Sequence, residues 1–335
     1  MKAILAAGGS KAADPKAFRE ADIETPRAAG RDLLVKVQAV SVNPVDTKIR
    51  MRTPVGTDIV LGWDACGVVE GAGPNLRSFA AGDRVYYSGA MTRPGTNAEY
   101  HLVDERIVGH APKSVSVAQA AAMPLTTITA FEALFDRLGF APSQGANAGR
   151  NVLIVGGAGG VGSMAIQLAR WAGLTVVATA SRQDTVDWCK QLGANVVADH
   201  RQPLAEAVRA QGFQVVDAIF CTTHMEKHWM QMAEIIKPQG RVALIDDPSG
   251  PVDITAFKRK CASIHWEFMF ARPLYETPDM GRQGEILEEV AGLVDAGVLR
   301  STLRETLDGL TAANVQAAHV RQESATMIGK QVIVF

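Results

Sequence analysis

A run of glycines between an apolar segment and an amphipathic segment is the feature that most constrains the fold of this chain. Residues 151–155 (Asn-Val-Leu-Ile-Val) lead directly into residues 156–162 (Gly-Gly-Ala-Gly-Gly-Val-Gly). Within the run, Gly157, Gly159 and Gly162 fit the pattern G-x-G-x-x-G. The residues that follow place apolar side chains at the spacing of one helix face, at Val161, Met164, Ala165, Leu168, Ala169 and Ala172. A strand, this turn and a helix in that order predict a parallel-sheet fold with a phosphate-binding turn.

Strand and helix patterns continue to alternate after the glycine run. The segments with strand character are residues 151–155, 175–179, 196–198, 215–220, 241–245 and 262–268. Alternation of this kind predicts a doubly wound parallel sheet, the Rossmann arrangement. Helices are predicted over residues 128–138 and 284–295, and the chain is predicted to end in a strand at residues 331–335.

The first third of the chain has a different residue pattern. Short apolar or alternating runs at residues 33–40, 67–70 and 83–87 are separated by turn signals rich in glycine, proline and asparagine. Short strands at this spacing predict a small barrel or sandwich. A length of 335 residues is enough for two domains, so the chain is α/β with a β-rich part and a doubly wound part.

Composition excludes several classes of partner. The 34 Lys and Arg against 35 Asp and Glu give a net charge of −1, which offers no reason to expect nucleic acid or an anionic membrane. The apolar run at the N-terminus is too short for a signal peptide, and the uncharged stretch 152–169 contains five glycines. The four cysteines are far apart and are expected to be buried, reduced thiols. We therefore expect a soluble, cytoplasmic protein.

The end of the second predicted strand bears on which dinucleotide is bound. NAD sites have an acidic residue about 20 residues after the glycines, which holds the ribose hydroxyls. This strand instead runs into Ser181 and Arg182, a hydroxyl and a guanidinium that suit a 2′-phosphate. Asp184, two residues later, is the rival NAD-type acid, although a helix N-cap is its other interpretation. The pattern favours NADPH over NADH.

Several motifs along the whole chain are similar to motifs of a known protein family. They are Ser-Val-Asn-Pro-Val-Asp-Thr-Lys at residues 41–48, Leu-Gly-Trp-Asp at 61–64, Ala-Gly-Asp-Arg-Val at 81–85, Pro-Leu-Thr-Thr-Ile-Thr-Ala at 124–130, the glycine turn, and Gly-Lys-Gln-Val at 329–332. With them the chain resembles the medium-chain dehydrogenase/reductase superfamily. The match is to its quinone oxidoreductase branch, and closest to the proteins called zinc-type alcohol dehydrogenase-like.

The resemblance implies a GroES-like β-barrel domain formed by residues 1–124 and 270–335. A Rossmann dinucleotide-binding domain, residues 125–269, is inserted between these two segments. The nicotinamide and the substrate are expected in the cleft between the domains. Members of this family are commonly homodimers or homotetramers, in which the strand near residues 262–268 pairs with its counterpart in the second copy.

The resemblance also predicts the absence of a metal. The positions that match the zinc ligands of metal-dependent relatives are Asn43, Trp63 and Leu125, and no run of closely spaced cysteines is present. Zinc needs three or four nitrogen or sulfur donors, and none of the replacements in these motifs offers one except the single carboxylate of Asp64. His224 and His228 have the i, i+4 spacing of a metal pair but lack the acid of H-E-x-x-H, so we expect surface or capping histidines.

Without a metal, an unactivated alcohol is a poor hydride donor. A quinone or an α,β-unsaturated carbonyl delocalises the arriving charge onto an oxygen, which hydrogen bonds can stabilise. The sequence therefore predicts an NADPH-dependent reductase of such substrates. Two alternatives stay open: an alcohol or aldehyde dehydrogenase with an unrecognised metal site around Asp64 and Cys66, and a protein that binds NADPH without catalysis.

The motif matches assign expected roles. Asn43, Asp64 and Thr129 are the candidate catalytic residues, with Asn43 and Thr129 facing the nicotinamide and its ribose. Asp46 and Asp64 are as well suited to holding loops as to proton transfer. The expected cofactor contacts are Asn43, Thr129, Gly157, Ala158, Gly159, Gly160, Val161, Ser181, Arg182, His200, Thr222, Phe270, Gly329 and Lys330. The segments 267–270 and 329–330 would close over the cofactor, and an apolar pocket would be lined by Trp63, Tyr87, Met269 and Phe270.

Overall fold

The computed structural model describes all 335 residues, and their contacts divide the chain into two units. The first unit comprises residues 1–128 and 270–335, and the second comprises residues 129–269. The sequence places the corresponding boundaries after residues 124 and 269.

The first unit is built on two sheets. A three-stranded sheet has the order β2-β1-β4, and a seven-stranded sheet has the order β15-β16-β3-β5-β6-β8 with β7 paired to β3. The strands are β1 (Lys2–Ala7), β2 (Phe18–Asp22), β3 (Asp32–Ser41), β4 (Asp58–Val60), β5 (Asp64–Ala72), β6 (Arg84–Ser88), β7 (Tyr100–Asp104), β8 (Val108–His110), β15 (Leu303–Asp308) and β16 (Lys330–Val334). The predicted short strands of the first third are all present.

Helices and the return of the chain complete the first unit. The helices are α1 (Pro44–Arg52), α2 (Val117–Ala121), α3 (Pro124–Phe131, which contains the division between the units), α8 (Ala271–Leu274), α9 (Arg282–Asp295) and α10 (Ala312–Glu323), with a 3₁₀ turn at Glu105–Ile107. The last strand, β16, pairs antiparallel with β3, with Val332 opposite Ser41. The C-terminal segment is therefore an internal part of the sheet that carries the N-terminal motifs.

The second unit is a six-stranded parallel sheet with the order β11-β10-β9-β12-β13-β14. Its strands are β9 (Asn151–Val155), β10 (Thr175–Thr179), β11 (Val196–Ala198), β12 (Val216–Cys221), β13 (Ile236–Leu244) and β14 (Ser263–Trp266). This order is that of the doubly wound dinucleotide-binding fold, so the predicted Rossmann arrangement is confirmed. Such a sheet places the turns at the carboxyl ends of its strands along one edge, where ligands bind.

Helices cover this sheet. They are α4 (Gly160–Trp171), α5 (Gln183–Gln191), α6 (Leu204–Arg209) and α7 (Met225–Ile235), with a 3₁₀ segment at Ile254–Lys260. Leu153, Val177, Ile219 and Val242 are completely buried, as expected for a parallel sheet covered on both faces. The predicted helix over 128–138 differs in detail, because α3 continues from residue 132 as a π-helical segment, Glu132–Arg137.

Three of the four cysteines are buried, and one is not. Cys66, Cys189 and Cys221 are buried, but Cys261 is exposed, so the expectation of four buried thiols is wrong for that residue. Cys261 ends the 3₁₀ segment in a left-handed conformation, which turns it outward just before β14. No helix of the structure combines the length and the apolar character that a transmembrane segment needs.

Candidate functional site

The first unit places Asn43 at the junction of a strand and a helix. β3 ends at Ser41, and Asn43 is the residue that precedes α1, whose first residue is Pro44. Proline suits this position because its missing N–H would have no partner in the first turn. The backbone N–H of Asn43 donates to Asp46 Oδ2 at 2.7 Å, which fixes the start of the helix. Asn43 is only 1% exposed.

Both ends of the Asn43 amide are held by other buried groups. Its Oδ1 accepts a hydrogen bond from Lys330 Nζ, and its Nδ2 donates to Asp64 Oδ2 at 2.8 Å and to the Ser41 carbonyl at 3.3 Å. Because the partners are an ammonium on one side and a carboxylate on the other, the orientation of the amide is fixed.

Asp64 and Lys330 form a buried ion pair around this amide. Lys330 Nζ lies 3.5 Å from Asp64 Oδ2 and donates to the Val42 carbonyl at 2.9 Å. Asp64 Oδ1 accepts the backbone N–H of Leu125 at 2.7 Å. Burial raises the pKa of Asp64 and lowers the pKa of Lys330, while the attraction between the two opposes both shifts. We call Asn43, Asp64 and Lys330 the lysine network.

Asp46 supports the lysine network from α1. It is completely buried, and its Oδ1 has no hydrogen-bond partner. Burial raises the pKa of Asp46 to about 7, against the hydrogen bond from the Asn43 backbone and the charge of Lys330. The side chain therefore holds the N-terminus of α1, and its environment stabilises the protonated form.

Trp63 lies next to Asp64 and presents an unpaired donor. Gly62, which precedes it, has a φ of +100°, and a Cβ there would lie 2.5 Å from Thr96 Oγ1. Only glycine fits this turn. The Trp63 ring is 3% exposed and meets Phe270 edge-on at 5.9 Å between centroids, and its Nε1 is buried without an acceptor. A buried N–H without a partner is costly in free energy.

The other residues that the sequence places at the apolar pocket or at the cofactor include Tyr87, Met269 and Gly329. Tyr87 stacks on His101 at 5.5 Å between ring centroids, and its hydroxyl lies 3.1 Å from His101 Nδ1. Met269 is 3% exposed, and Gly329 takes a φ of +58° just before Lys330. The structure therefore brings Asn43, Asp64 and Lys330 together and places Tyr87 in a packed pair with a histidine.

In the second unit the glycine turn joins β9 to α4. A Cβ on Gly162 would lie 2.2 Å from the Gly156 carbonyl oxygen, so the helix packs closely against the turn. At Gly159 a Cβ would meet nothing nearer than 3.7 Å, so space is left beside the backbone. α4 begins after Gly159 without a side-chain cap, and its first residues are Gly160 and Val161. A helix N-terminus without a cap is suited to a phosphate group.

Hydroxyl groups from two neighbouring strands hold the turn in place. Thr179 Oγ1, at the end of β10, accepts the N–H of Gly156 at 3.0 Å, and His200 Nδ1 lies 3.4 Å from the same oxygen. Thr222 Oγ1, after β12, donates to the Val155 carbonyl at 2.8 Å. The structure thus brings the predicted contacts His200 and Thr222 to the edge of the sheet that carries the turn.

The residues that bear on the 2′-phosphate follow β10. Arg182 is exposed, and its Nε lies 3.3 Å from Asp184 Oδ1. The N-cap of α5 is Arg182, whose N–H donates to Thr185 Oγ1 at 3.1 Å. The interpretation of Asp184 as the N-cap is therefore wrong, because the helix starts two residues earlier than expected. Asp184 instead lies in the first turn and accepts the N–H of Thr185 at 2.7 Å.

The histidines His224 and His228 differ in exposure. His224 is the exposed N-cap of α7 and adopts a left-handed φ of +51°. His228 is 5% exposed, so the expectation of a surface or capping residue is wrong for it. Burial lowers the pKa of His228 to about 4. The structure has no group of three or more His, Cys, Asp or Glu arranged to hold a metal ion.

Sequence reasoning missed some polar residues of the second unit. Thr179 is one of these residues. The sequence signal that could have identified it is a hydroxyl at the end of the strand next to the glycine turn. Glu132 and Glu267 are others, and they are 1% and 3% exposed. Glu132 interrupts the apolar run of residues 128–135, which was the signal for a buried acid. Thr129 lies on α3, one helical turn before Glu132, and is 5% exposed.

Comparison with known proteins establishes the family. The model of the alcohol dehydrogenase GroES-like domain matches residues 29–125, and that of zinc-binding dehydrogenases matches residues 160–267. A zinc-type alcohol dehydrogenase-like protein of Staphylococcus aureus is 42% identical over 316 residues, 94% of each chain. The chain belongs to the medium-chain dehydrogenase/reductase superfamily, and it is an oxidoreductase by family.

Solved structures and a further relative extend this comparison. One similar solved structure is that of a protein from Rhizobium etli CFN 42 that is described as a zinc-dependent alcohol dehydrogenase protein. Its sequence is 51% identical to this chain, the TM-score is 0.95, and the match covers 100% of this chain and 98% of that one. The quinone oxidoreductase of Coxiella burnetii is 26% identical with a TM-score of 0.82, covering 100% and 99%. An NADPH-dependent alkenal/one oxidoreductase of Arabidopsis thaliana is 35% identical over 211 residues, 60% of this chain and 53% of the relative.

Proposed function

We propose that this protein is a zinc-independent reductase that uses NADPH to reduce quinones or α,β-unsaturated carbonyls. The observation that carries the proposal is the lysine network. Its Asn43 stands at a position that matches a zinc ligand in metal-dependent relatives, and that side chain is bonded to the ammonium of Lys330.

The residues at the matching positions do not fit zinc. Asn43 has both ends of its amide engaged, Trp63 has an indole N–H that donates only, and Leu125 has no donor atom. Asp64 is the one carboxylate, and Lys330 Nζ lies 3.5 Å from it. A dication beside these groups would meet a buried positive charge and fewer than the three donors that zinc requires.

The chain's own residues supply binding and orientation. The turn of Gly157 to Val161, with the uncapped start of α4, would hold the pyrophosphate, and Ser181 and Arg182 would bind the 2′-phosphate. When bound, NADPH would supply the hydride. The Trp63 indole N–H, which has no partner in the structure, would donate to the substrate oxygen as it gains negative charge. The fixed amide of Asn43 would orient the ring.

The comparisons support this assignment in outline. Two of the similar proteins are named as an NADPH-dependent alkenal/one oxidoreductase and as a quinone oxidoreductase. Both substrate classes accept a hydride with charge delocalised onto oxygen, and neither needs a Lewis acid as strictly as an alcohol does.

One experiment tests the activity and the metal together. The purified protein, before and after dialysis against a chelator, is mixed with NADPH and either phenanthrenequinone or an alkenal. We expect NADPH oxidation that depends on the acceptor and is the same before and after dialysis. Stoichiometric zinc that leaves together with the activity would overturn the proposal. Tight NADPH binding without turnover of any acceptor would favour a binding protein.

A second experiment tests the cofactor. Arg182→Ala removes the guanidinium expected at the 2′-phosphate, and a charged hydrogen bond of this kind is worth about 1.5–3 kcal/mol. We therefore expect the dissociation constant of NADPH to rise by at least about tenfold while that of NADH changes little, as measured by titration of the cofactor fluorescence. Arg209→Ala on α6, which pairs with Glu234, is the control and is expected to change neither constant. Equal losses for both cofactors would contradict the 2′-phosphate assignment.

A further inference from the structure

The helix α1 is attached to the first unit by charged side chains rather than by an apolar face. Its two buried residues are Asp46 and Arg50, which are four positions apart and therefore lie on one face of the helix. Helices in proteins usually gain most of their stability by packing an apolar face. The position of α1, and of Asn43 directly before it, therefore depends on the polar contacts of these two side chains.

Arg50 is completely buried, and its guanidinium joins α1 to two other parts of the first unit. Its Nε donates to the Ser10 carbonyl at 3.0 Å, its Nη1 lies 2.7 Å from His319 Nδ1, and its Nη2 donates to the Glu323 carboxylate. His319 and Glu323 are one turn apart on α10, so two of these contacts hold α10 on α1. The Arg50 carbonyl also accepts the N–H of Gly9 at 2.9 Å.

His319 can accept a hydrogen bond from Arg50 only while its ring is neutral. A guanidinium has donors and no acceptor, so the Nδ1 atom that faces Arg50 must be unprotonated, and the ring hydrogen is on Nε2. Nε2 is buried and has no hydrogen-bond partner. The ring is completely buried and packs against Phe18 at 4.8 Å between centroids. A second proton on the ring would therefore face a positive charge, and neither ring N–H would have an acceptor.

Arg50 supplies the charge that acts on this ring. Burial and then the charge of Arg50 lower the pKa of His319 to about 3. The other charged groups on α10 and on the elements packed against it are exposed or have partners of their own: Lys2 on β1, Arg19, Glu20 and Asp22 on β2, Asp46, Lys48 and Arg52 on α1, Arg321 and Glu323 on α10, and Lys330 on β16.

We propose that Arg50, His319 and Glu323 form an acid-sensitive latch, which holds α10 on α1 and opens when His319 takes up a proton from the solvent. When α10 separates from α1, the ring meets water and regains the ordinary histidine pKa of 6.5. The latch therefore has its full strength above pH 6.5, and proton uptake favours the open form increasingly as the pH falls below that value. Because α1 begins directly after Asn43, the latch couples acidity to the element that positions this side chain.

Hydrogen exchange of the full chain, followed by mass spectrometry, tests the latch. Between about pH 7 and about pH 5, a range in which ordinary carboxylates stay ionised, the protection of the α10 amides should fall by about 20-fold after correction for intrinsic exchange. The amides of α9 should change much less, because local openings of different elements are separate events. Protection of α10 that does not fall would overturn the latch. An equal fall in α9 would overturn it too, since His319 would then titrate only when the whole unit unfolds.

Two variants separate the proton from the contacts. In His319→Asn the amide oxygen can replace Nδ1 as the acceptor and does not titrate, so the protection of α10 should lose its dependence on pH. Glu323→Gln removes the carboxylate and keeps the histidine, so protection should be at least about tenfold lower at both pH values and keep the pH dependence of the wild type. The control is Glu206→Gln, at an exposed glutamate of α6, which should behave as the wild type.

The outcome of this experiment is independent of the proposed function, because neither substrate nor cofactor is present. A His319→Asn protein that keeps the pH dependence of the wild type would show that another group takes up the proton, and the latch would be overturned. If His319→Asn does not fold, the comparison of α10 with α9 in the wild type still decides whether α10 opens on its own in acid.

Discussion

Lys330 carries a positive charge into the interior of the first unit, where it is 4% exposed. Its partners are the Val42 carbonyl, the Asn43 amide and the Asp64 carboxylate. Such an ion pair is weak evidence for net stability, but removing one partner leaves a buried charge without compensation. The lysine network therefore depends on all three side chains at once.

We expect Lys330→Met to lower the free energy of unfolding by about 3–5 kcal/mol, because Asp64 would remain buried without its counter-charge. Asn43 would also lose the donor to its Oδ1, so turnover should fall beyond what the loss of stability explains. Urea unfolding at neutral pH and kcat at a temperature well below the melting point measure the two effects. Lys36→Met, at an exposed lysine of β3, should change stability by less than about 0.5 kcal/mol. A Lys330→Met protein as stable and as active as Lys36→Met would contradict the role of the network.

A second residue can be tested through its hydrogen-bonding capacity. Trp63→Phe removes the indole N–H that has no acceptor in the structure, so no internal hydrogen bond is lost. If that N–H stabilises the substrate oxygen in the transition state, kcat should fall by about 10²-fold or more. Steady-state kinetics with a quinone measure the effect.

Trp229→Phe is the matched control, since Trp229 is also buried but its Nε1 donates to the Asp253 carbonyl at 2.8 Å. This variant should lose about 1–3 kcal/mol of stability through the unsatisfied carbonyl and should keep its kcat. If Trp63→Phe loses stability and retains kcat in the same way, Trp63 is a packing residue and not a donor to the substrate.

At the scale of the element, the glycine turn and α4 must fit together before they can bind phosphate. Gly162→Ala places a methyl group 2.2 Å from the Gly156 carbonyl oxygen, so the first turn of the helix has to move. We expect a loss of about 1–3 kcal/mol in stability from this overpacking, and weaker binding of both NADPH and NADH. Gly292→Ala in α9 meets nothing within 4 Å and should be neutral or stabilising by about 1 kcal/mol, because alanine favours helices. Thermal unfolding and cofactor titration distinguish the two variants.

Most elements of the second unit could be predicted from sequence because each one is locally encoded. The strands at 151–155, 175–179 and 196–198 have the predicted bounds, since apolar runs are delimited there by turn residues or helix starts. The π-helical continuation of α3 was not predictable, because the apolar spacing of residues 128–138 is equally compatible with an α-helix. The burial of Glu132 against Glu267 could not be predicted either, as it depends on packing between an element near residue 132 and one near residue 267.

At the scale of the whole molecule, the lysine network exists only because the chain returns to the first unit. Lys330 and Asn43 are separated by 287 positions in sequence, and they meet because β16 pairs with β3. No local sequence pattern predicts the contact between Lys330 and Asn43. The resemblance of the C-terminal motif to the family implies only that the C-terminal segment belongs to the GroES-like domain. The roles of the individual residues remain predictions, since no local pattern specifies which atoms meet the substrate.

The outermost strand of the sheet in the second unit, β14, leads to a prediction about how copies of the chain assemble. β14 pairs only with β13 within the chain, so one side of this strand has free backbone groups, and Trp266 and Phe268 beside it are 54% and 47% exposed. Exposed strand edges with apolar side chains favour pairing with another chain. We propose that two copies associate through β14, forming the homodimer that could pair further into a homotetramer.

Trp266→Glu places a charge on this edge and removes an exposed aromatic ring without touching the core of the unit. Directly opposed copies would then bring two like charges together, which destabilises paired strands. We expect the wild type to sediment as a dimer or tetramer and the variant to sediment as a smaller species with an unchanged circular dichroism spectrum. Tyr275→Glu changes another exposed aromatic residue, 76% exposed and outside this edge, and should leave the assembly as in the wild type. A wild type that is monomeric at micromolar concentration, or a Trp266→Glu variant that keeps its assembly, would show that β14 is not the interface.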